Sequence, residues 1–264
     1  MPKVLTYLRY LSDYLKHGDF ISVLAAFKYI LTGTSHKKDR IITTSIGMFF
    51  CRKNTNDFQF ANYYYEWGVK KFILDHLSEF DVFIDGGACI GEYSILLSKK
   101  NIRCFAFEPV RSNFKALLKN LKLNKVEKEV VACPFGLSDS NSTVNFDYNP
   151  VNTGASHIAD RLNPEGLLSE LRTFDSLLPG LNIFPEDRIL FKLDVEGMET
   201  NAIEGSAGFI KSHPNLMFIL EHKHSGQGRI RKALNEKAGF KYGIVDEFNF
   251  YARKVNNINE SEKV

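Results

Sequence analysis

The stretch DVFIDGGACIGEYS, residues 81–94, contains an acid and glycines at a spacing that can hold a ligand. Asp85, Gly87 and Gly91 follow the apolar run VFI, and residues that favour a helix begin at Glu92. At the carboxyl end of a parallel strand, glycines let a ligand approach the backbone closely. The free amide groups of the next helix favour an anion such as a carboxylate or a pyrophosphate. We therefore expect a ligand-binding turn here.

Two ligand patterns compete for this turn. A dinucleotide pattern, GxGxxG, would use Gly86, Ala88 and Gly91, and it lacks its central glycine. The pattern DxGxxxG, typical of S-adenosylmethionine-dependent methyltransferases, fits Asp85, Gly87 and Gly91 directly. Either short match is weak alone, because a tight strand-to-helix turn without a ligand can carry the same letters.

An acidic residue ends the next strand-like run, FAFEP over residues 105–109. Glu108 follows Asp85 by 23 residues. A carboxylate at that position can accept hydrogen bonds from both ribose hydroxyls of an adenosine cofactor. Because NAD needs the same acid, Glu108 supports an adenosine cofactor without choosing between the two patterns.

The segment ILFKLDVEGMETNAIEG, residues 189–205, brings two more charged groups to the same edge of the predicted sheet. Lys192 and Asp194 lie two residues apart, so they share one face of a strand. They can act on a reacting group, or they can form a structural ion pair.

Alternating strand-like and helix-like runs position these residues and predict a parallel sheet with helices on both faces. Strands are predicted at residues 82–84, 104–107, 130–135, 189–193 and 216–220, and helices begin at Glu92, Ser112, Asn201 and Arg229. Residues 240–254 hold two apolar runs with no helix between them, which predicts an antiparallel hairpin at the sheet edge.

The N-terminal part has a different pattern. Residues 4–31 have apolar side chains at helical spacing with a break near Gly18 and Asp19, so we expect two short amphipathic helices. A hairpin around Gly47 is predicted over residues 41–53, and a helix over residues 62–77. We predict an N-terminal helical and hairpin extension over residues 1–61, a catalytic domain over residues 62–255 and a flexible tail over residues 256–264.

Composition argues against several classes of protein. With 34 basic and 31 acidic residues, the net charge of +3 is too balanced for a dedicated nucleic-acid binder. The four cysteines form no CxxC pair and no zinc-type spacing, so a reducing cytoplasm fits best. No stretch approaches the roughly 18 uninterrupted apolar residues of a membrane span. We expect a cytoplasmic protein that is at most peripheral to a membrane.

The ordered motifs GGxxxG, FEP and DVEG, with FGLSD at 135–139, RTFDSLL at 172–178 and LEHK at 220–223, resemble the FkbM family of S-adenosylmethionine-dependent methyltransferases. The match runs from about residue 62 to residue 251. The resemblance implies an α/β class I methyltransferase (Rossmann-like) fold with strand order 3-2-1-4-5-7-6. It also implies S-adenosyl-L-methionine as cofactor, S-adenosyl-L-homocysteine as product and a hydroxyl group as acceptor.

The resemblance further implies which residues form the site. The cofactor residues are Asp85, Gly86, Gly87, Ala88, Cys89, Gly91, Glu92, Glu108, Pro109, Gly136, Leu137 and Asp194. The substrate residues are Ser156, His157, Glu196 and Glu221. The first two of these belong to the loop NTGASHI, residues 152–158, which matches the family less sharply. Cys89 replaces the asparagine of the family's usual GANIG, and a thiol is a poor hydrogen-bond partner.

Methyl transfer to an alcohol defines the roles that charged groups must take. The oxygen must lie about 3 to 3.5 Å from the methyl carbon, in line with the leaving sulfur, and the hydroxyl must lose its proton to a nearby base. Asp194, Lys192 and His222 are the catalytic candidates, although each also has a structural interpretation. Lys192 needs a lowered pKa to be the base, and otherwise it stabilises the developing alkoxide.

A divalent metal is a separate question, because some oxygen methyltransferases use one to acidify the hydroxyl. Asp194, Glu196, Glu221, His222 and His224 offer suitable ligands. Their spacing does not require a metal, and we predict none.

Three other functions agree less well with the same sequence motifs. An NAD-dependent oxidoreductase should have an intact GxGxxG and gives no role to DVEG. A methyltransferase that acts on nitrogen or on a macromolecule often has an acid or asparagine, two prolines and an aromatic residue where this chain has DVEG. A non-catalytic binding module would lose the polar strand-end groups.

We predict a small-molecule acceptor, a sugar or glycan intermediate, and no nucleic-acid partner. The basic and aromatic N-terminal helices can cover the substrate, touch a membrane surface, form a homodimer or pack on the core.

Overall fold

The N-terminal region of the computed structural model is helical with one hairpin. The structure describes residues 3–147, 151–154, 157–158 and 167–255. The first elements are α1 (Lys3–Lys16), α2 (Phe20–Thr32), β1 (Arg40–Thr43), β2 (Met48–Cys51), α3 (Asp57–Phe60), α4 (Trp67–Asp75) and a short 3₁₀ helix (Leu77–Glu79). The two predicted helices and the hairpin around Gly47 are therefore present, since β1 pairs with β2 antiparallel. None of the helices within the described ranges is long and apolar enough to cross a membrane.

Alternating strands and helices follow. They are β3 (Val82–Gly86), α5 (Glu92–Ser98), β4 (Arg103–Phe107), α6 (Arg111–Asn124), β5 (Val130–Cys133), β6 (Phe135–Leu137), β7 (Ser142–Asp147), β8 (His157–Ile158), β9 (Leu167–Arg172), α7 (Phe174–Leu177) and a 3₁₀ helix (Leu178–Gly180). The remaining elements are β10 (Ile189–Leu193), α8 (Glu199–Glu204), α9 (Ala207–Ser212), β11 (Leu216–Glu221), α10 (Gln227–Asn235), β12 (Phe240–Ile244) and β13 (Asn249–Lys254).

Seven strands form the main sheet in the order β12-β13-β11-β10-β3-β4-β5. When the seven strands of this sheet alone are numbered 1 to 7 along the chain, starting with β3, the order read from the β5 edge is 3-2-1-4-5-7-6. The fold prediction is therefore confirmed. β13 runs antiparallel to both of its neighbours, and the pairs β11–β10, β10–β3, β3–β4 and β4–β5 are parallel. The carboxyl ends of four central strands, β3, β4, β10 and β11, therefore meet at one edge.

A second sheet, in the order β6-β9-β7-β8, was not predicted. The single strand predicted over residues 130–135 is wrong, because the chain leaves the main sheet after Cys133 and Phe135 begins β6, which pairs parallel with β9. The apolar letters of β5 and β6 are nearly continuous, so periodicity cannot show that they belong to different sheets.

The helix predicted over residues 62–77 is also shorter than expected. Glu66 precedes α4 with φ of +48°, a left-handed conformation that ends any helix approaching from residue 62. Three tyrosines, at residues 63–65, occupy the turns before it. This segment forms part of the wall of the candidate site.

Two apolar layers cover the main sheet. One contains Phe83 and Leu190 with α5, α6 and residues of the N-terminal region such as Tyr14 and Phe49. The other contains Phe191 and Phe218 on the opposite face, with α7 to α10. Alternation along each strand sends successive side chains to opposite layers. Since N-terminal residues share a core with the sheet, the predicted division at residue 62 stays a prediction.

Asn120 on α6 connects the N-terminal hairpin to the turn after β3. Its Oδ1 accepts a hydrogen bond from Phe50 N at 2.7 Å, and its Nδ2 donates to Ile90 O at 3.0 Å. The side chain is fully buried. Both backbone groups would lack these bonds if the amide were removed.

We expect Asn120→Ala to lower the free energy of unfolding by about 2 kcal/mol, because buried polar groups lose their hydrogen bonds. Denaturant titration measures the change. The control is Lys122→Ala, an exposed position on the same helix, which should leave stability unchanged. Equal stability of the two variants would show that Asn120 does not connect the hairpin to the sheet.

Candidate active site

A cavity of about 480 Å³ lies at the carboxyl ends of β3, β4, β10 and β11. Its wall is formed by strand-end residues, by the segment before α4 and by the loop that contains Thr153. The lining residues are Phe60, Tyr65, Glu66, Gly87, Cys89, Glu92, Glu108, Pro109, Val110, Asn113, Gly136, Leu137, Asn152, Thr153, Gly154, Leu171, Lys192, Asp194, Val195, Glu196, Met198, Glu221, Lys223 and His224.

The glycine turn after β3 is pressed against the backbone that follows β10. Gly87 has φ of +88°, and a Cβ built on it would lie 1.9 Å from Asp194 O. Asp194 N donates to Gly86 O at 3.1 Å, and Gly87 N donates to Phe107 O at 3.1 Å. Only glycine fits at residue 87, because any side chain would collide with backbone. The turn thus has a fixed position between two strand ends.

Glu108 is held by backbone amides at the next strand end. Its Oε2 accepts from Cys89 N and its Oε1 from Val110 N, both at 2.8 Å. The carboxyl is buried. Burial raises the pKa of Glu108 to about 7, and the two backbone hydrogen bonds oppose the rise only in part. Cys89, which donates one of these bonds, has a left-handed backbone with φ of +46°.

Asp85 lies behind the turn and does not line the cavity. Ser94 Oγ donates to its Oδ2 at 2.7 Å, and its buried Oδ1 has no hydrogen-bond partner among the described residues. Burial raises the pKa of Asp85, although Lys192 beside it in the sheet register lowers it. The structure therefore places this carboxyl next to Lys192 beneath the cavity floor.

Lys192 and Asp194 form an ion pair in the cavity wall. Lys192 Nζ lies 2.8 Å from Asp194 Oδ2, and Lys192 is only 2% exposed. Burial lowers the pKa of Lys192, but Asp194, Glu66 and Asp85 together raise it further, so the net shift is upward. Lys192 therefore stays protonated, which favours a role in stabilising negative charge over the role of a base.

The segment before α4 supplies a wall that the motifs did not predict. Tyr65 and Glu66 line the cavity, and Tyr93 Oη donates to Glu66 Oε2 at 2.7 Å. Below them Lys70 is fully buried and donates to Tyr65 O at 2.5 Å. Burial lowers the pKa of Lys70 and raises that of Glu92, which lies in the same wall. A sequence signal existed in YYYEW, residues 63–67, since an acid among aromatic residues is unusual on a solvated surface.

Glu196, Glu221 and His224 form a second cluster in the cavity lining. Their ligand atoms lie within 4.8 Å of one another, so the three side chains could hold a divalent cation. His224 Nε2 lies 3.2 Å from Glu196 Oε2. Burial, and then the charge of Asp194, raises the pKa of Glu196 to about 7 and also raises that of Glu221. Glu196 has a left-handed backbone with φ of +50°.

The cavity brings together many of the predicted site residues. Those that line it are Gly87, Cys89, Glu92, Glu108, Pro109, Gly136, Leu137, Lys192, Asp194, Glu196 and Glu221. Asp85, Gly86, Ala88, Gly91 and His222 are not among the lining residues. Ser156 lies outside the described residues, as does the predicted tail over residues 256–264, and His157 begins β8 without a described side chain.

His222, a catalytic candidate from the sequence, is not among the cavity-lining residues, whereas His224 is. The His222 ring lies 6.0 Å from that of Phe250, and its backbone N donates to Phe248 O at 2.9 Å. His224 lines the cavity instead. Because the chain leaves β11 after Glu221, strict alternation no longer describes which side chain faces the site.

The loop that contains Thr153 closes the cavity near Glu108. Thr153 is buried, and Asn113 Nδ2 donates to its carbonyl at 2.9 Å. Thr153 N in turn donates to Asn56 Oδ1 at 3.0 Å. The motif NTGASHI identified this loop, but the contact with residue 56 is too distant in sequence for any pattern to reveal.

Comparison with known sequences decides between the alternatives. Residues 85–242, more than half of the chain, match the methyltransferase FkbM domain. The chain belongs to the FkbM methyltransferase family. The matched region is therefore a methyltransferase domain with S-adenosylmethionine as its cofactor, which confirms the resemblance drawn from the motifs and argues against the oxidoreductase alternative. No curated protein matches the chain.

Several solved structures are similar at low identity. Methyltransferase FkbM from Methylobacillus flagellatus is 19% identical with a TM-score of 0.47, and the match covers 66% of this chain and 44% of that one. An S-adenosylmethionine-dependent O-methyltransferase from Thermotoga maritima is 15% identical with a TM-score of 0.44, covering 88% and 82%. An O-methyltransferase from Bacillus cereus, in complex with S-adenosylhomocysteine, is 9% identical with a TM-score of 0.40, covering 72% and 80%. This chain thus matches less than half of the length of the first of them.

The buried carboxyl of Glu108 should make the folded state more stable at low pH than at high pH. Its pKa is about 7 in the fold against 4.5 in an unfolded chain, so the folded state keeps its proton longer. The stabilisation is complete below pH 4.5 and is lost as the pH rises through 7. Relative to Glu108→Gln, the wild type should lose up to about 3 kcal/mol of unfolding free energy over that range.

Denaturant titrations at several pH values, without ligand, test this difference. The exposed acid Glu127 gives the matched control Glu127→Gln, whose stability should follow the wild type at every pH. Parallel profiles for wild type and Glu108→Gln would contradict the buried state of Glu108.

Proposed function

We propose that this methyltransferase transfers a methyl group to a hydroxyl of a sugar or glycan intermediate. One observation carries the proposal. A single cavity holds the glycine turn at Gly87, the strand-end acid Glu108 and the ion pair of Lys192 with Asp194. Cofactor groups and charged groups for the acceptor are therefore near each other.

The residues present suit an adenosine cofactor with a charged methionine end. The absence of a side chain at Gly87 leaves backbone at the cavity surface, where a ligand can approach. The Glu108 carboxyl, held in place by two backbone amides, can accept hydrogen bonds from ribose hydroxyls. Cys89, Pro109, Gly136 and Leu137 complete this part of the wall.

When bound, the cofactor supplies an electrophilic methyl group on a sulfonium. In this proposal Asp194, whose side chain is 23% exposed, orients the acceptor hydroxyl and takes its proton. Lys192 keeps its charge and stabilises the negative charge that develops on the oxygen. The proton thus ends on a carboxylate, and the attacking oxygen gains the methyl group.

The acidic part of the cavity lining suits an acceptor rich in hydroxyl groups. Glu196, Glu221 and His224 offer several hydrogen-bond acceptors over a short distance, and Glu66 adds another carboxylate elsewhere in the lining. Vicinal hydroxyls can donate to such carboxylates in pairs. This arrangement supports a sugar or glycan as the acceptor.

Calorimetry should show binding of S-adenosylmethionine and S-adenosylhomocysteine and none of NAD. Glu108→Ala should weaken cofactor binding by about 1 to 3 kcal/mol, because charge-assisted hydrogen bonds to ribose are lost. The control Glu127→Ala changes an exposed acid and should bind normally. Unchanged affinity in Glu108→Ala would remove this residue from the cofactor site.

Asp194→Asn should reduce turnover by about a hundredfold or more, because the base or electrostatic stabiliser is lost while the shape is kept. The readout is single-turnover methyl transfer to acceptors found by screening nucleotide-sugar, glycan and lipid-linked hydroxyl compounds with labelled cofactor. A thermal melt accompanies each measurement.

Lys192→Met is the companion variant. If the ion pair is catalytic, Asp194→Asn and Lys192→Met both lose rate and melt at the wild-type temperature. If the ion pair is structural, both variants lose thermal stability. Full activity in a well-folded Asp194→Asn protein would refute the assignment and direct attention to Glu221 and His224.

A further inference from the structure

Helix α2 exposes a continuous apolar face. Phe20, Leu24, Phe27 and Leu31 are 66%, 68%, 51% and 82% exposed. Their spacing of four, three and four residues places them on one side of the helix. The opposite side is buried and contains small residues such as Ala25. The hydrophobic stripe of this helix therefore faces away from the protein core.

Further apolar residues are exposed on α2 and on α1, which packs beside it. Ile21 and Ile30 on α2 are 56% and 59% exposed, and Leu8 and Leu15 on α1, one above the other, are 58% and 49% exposed. We call these eight residues the α1–α2 surface. Contiguous apolar patches of this kind mark sites of association with proteins or membranes, whereas scattered apolar residues need no explanation.

The positive excess of the chain lies in the sequence segment that contains α1 and α2. Residues 1–40 hold seven of the 34 basic residues and three of the 31 acidic ones, so the whole positive excess of the protein lies there. Asp13 is buried and accepts from Ser45 N and Tyr63 N. Asp19 pairs with Arg40 at 3.0 Å. Two of the three acids are thus already occupied inside the fold.

Lys28 is a partly exposed lysine on α2, directly after Phe27, and two exposed lysines follow the helix. Lys28 Nζ donates to Ser35 O at 3.0 Å, and Ser22 Oγ lies 3.4 Å from His36 Nε2. The segment after α2 therefore runs back beside it, and this segment carries the exposed residues Lys37 and Lys38. Lysines thus lie on and just after the helix that carries the apolar face, and this combination suits an anionic lipid surface.

We propose that the α1–α2 surface docks on a membrane that contains anionic lipids. The apolar side chains enter the boundary between headgroups and acyl chains, while lysines contact the headgroups. The helices lie on the membrane, since none of the helices in the described part of the chain can cross it. A neutral or apolar partner would leave the basic border without a function.

Docking would place the cavity at a fixed position relative to the lipid surface. Tyr14 Oη donates to Phe58 O at 2.6 Å, and the Tyr29 ring lies 6.0 Å from that of Phe58. Phe58 belongs to α3, whose Phe60 lines the cavity. The two helices are thus connected to the site through α3, and Asp13 on α1 also accepts a hydrogen bond from Tyr63 N in the segment before α4.

Co-sedimentation of the full chain with vesicles tests the proposal. Vesicles of mixed phosphatidylglycerol and phosphatidylcholine should bind the wild type, and vesicles of phosphatidylcholine alone should bind it far less. Leu24→Asp with Phe27→Asp should reduce binding at least about tenfold, because two charges enter the apolar face. Lys37→Gln with Lys38→Gln should reduce it by about thirtyfold, as two headgroup contacts are lost.

The matched control is Ile244→Asp, which changes a residue 79% exposed on β12 and should bind like the wild type. Each variant is checked by thermal melt and by cofactor binding, which the membrane proposal leaves unchanged. Failure of the wild type to bind anionic vesicles would overturn the proposal. A second outcome would also overturn it: the wild type is a dimer, the variant with both Leu24→Asp and Phe27→Asp is a monomer, and neither protein binds vesicles. A second copy of the chain would then cover the surface.

Discussion

The contact between the turn after β3 and the backbone after β10 determines the geometry of the site. Gly87 lies so close to the Asp194 carbonyl that no side chain fits between them. The same contact fixes where the Asp194 side chain begins, and Asp194 holds Lys192. One steric constraint therefore sets the positions of the cofactor turn and of the charged pair together.

Electrostatics at this edge depends on a few buried cations. Glu66, Asp85 and Asp194 surround Lys192 and raise its pKa despite burial. Lys70 has a similar place among Glu66 and Glu92, but there burial is the larger effect and lowers its pKa. An acidic cavity is compatible with a folded protein because these cations offset part of the repulsion.

Much of the fold was predictable because local signals agree with the global structure. Strand periodicity and the motifs at Asp85, Glu108 and Asp194 located the central strand ends, and the strand order followed from the family. The second sheet was not predictable, because β6 directly continues the apolar letters of β5. Burial of Lys70 depends on the carbonyl of Tyr65 and on Glu92, and no local pattern marks a lysine as buried.

Three non-glycine residues with left-handed backbones line the cavity: Glu66, Cys89 and Glu196. Each such conformation costs about 1 to 3 kcal/mol relative to an ordinary one. Glycine would relieve that strain, yet at residues 66 and 196 it would also remove a carboxylate from the wall. Selection for thermal stability alone would therefore tend to erode this site, and engineered variants of higher stability should avoid these positions.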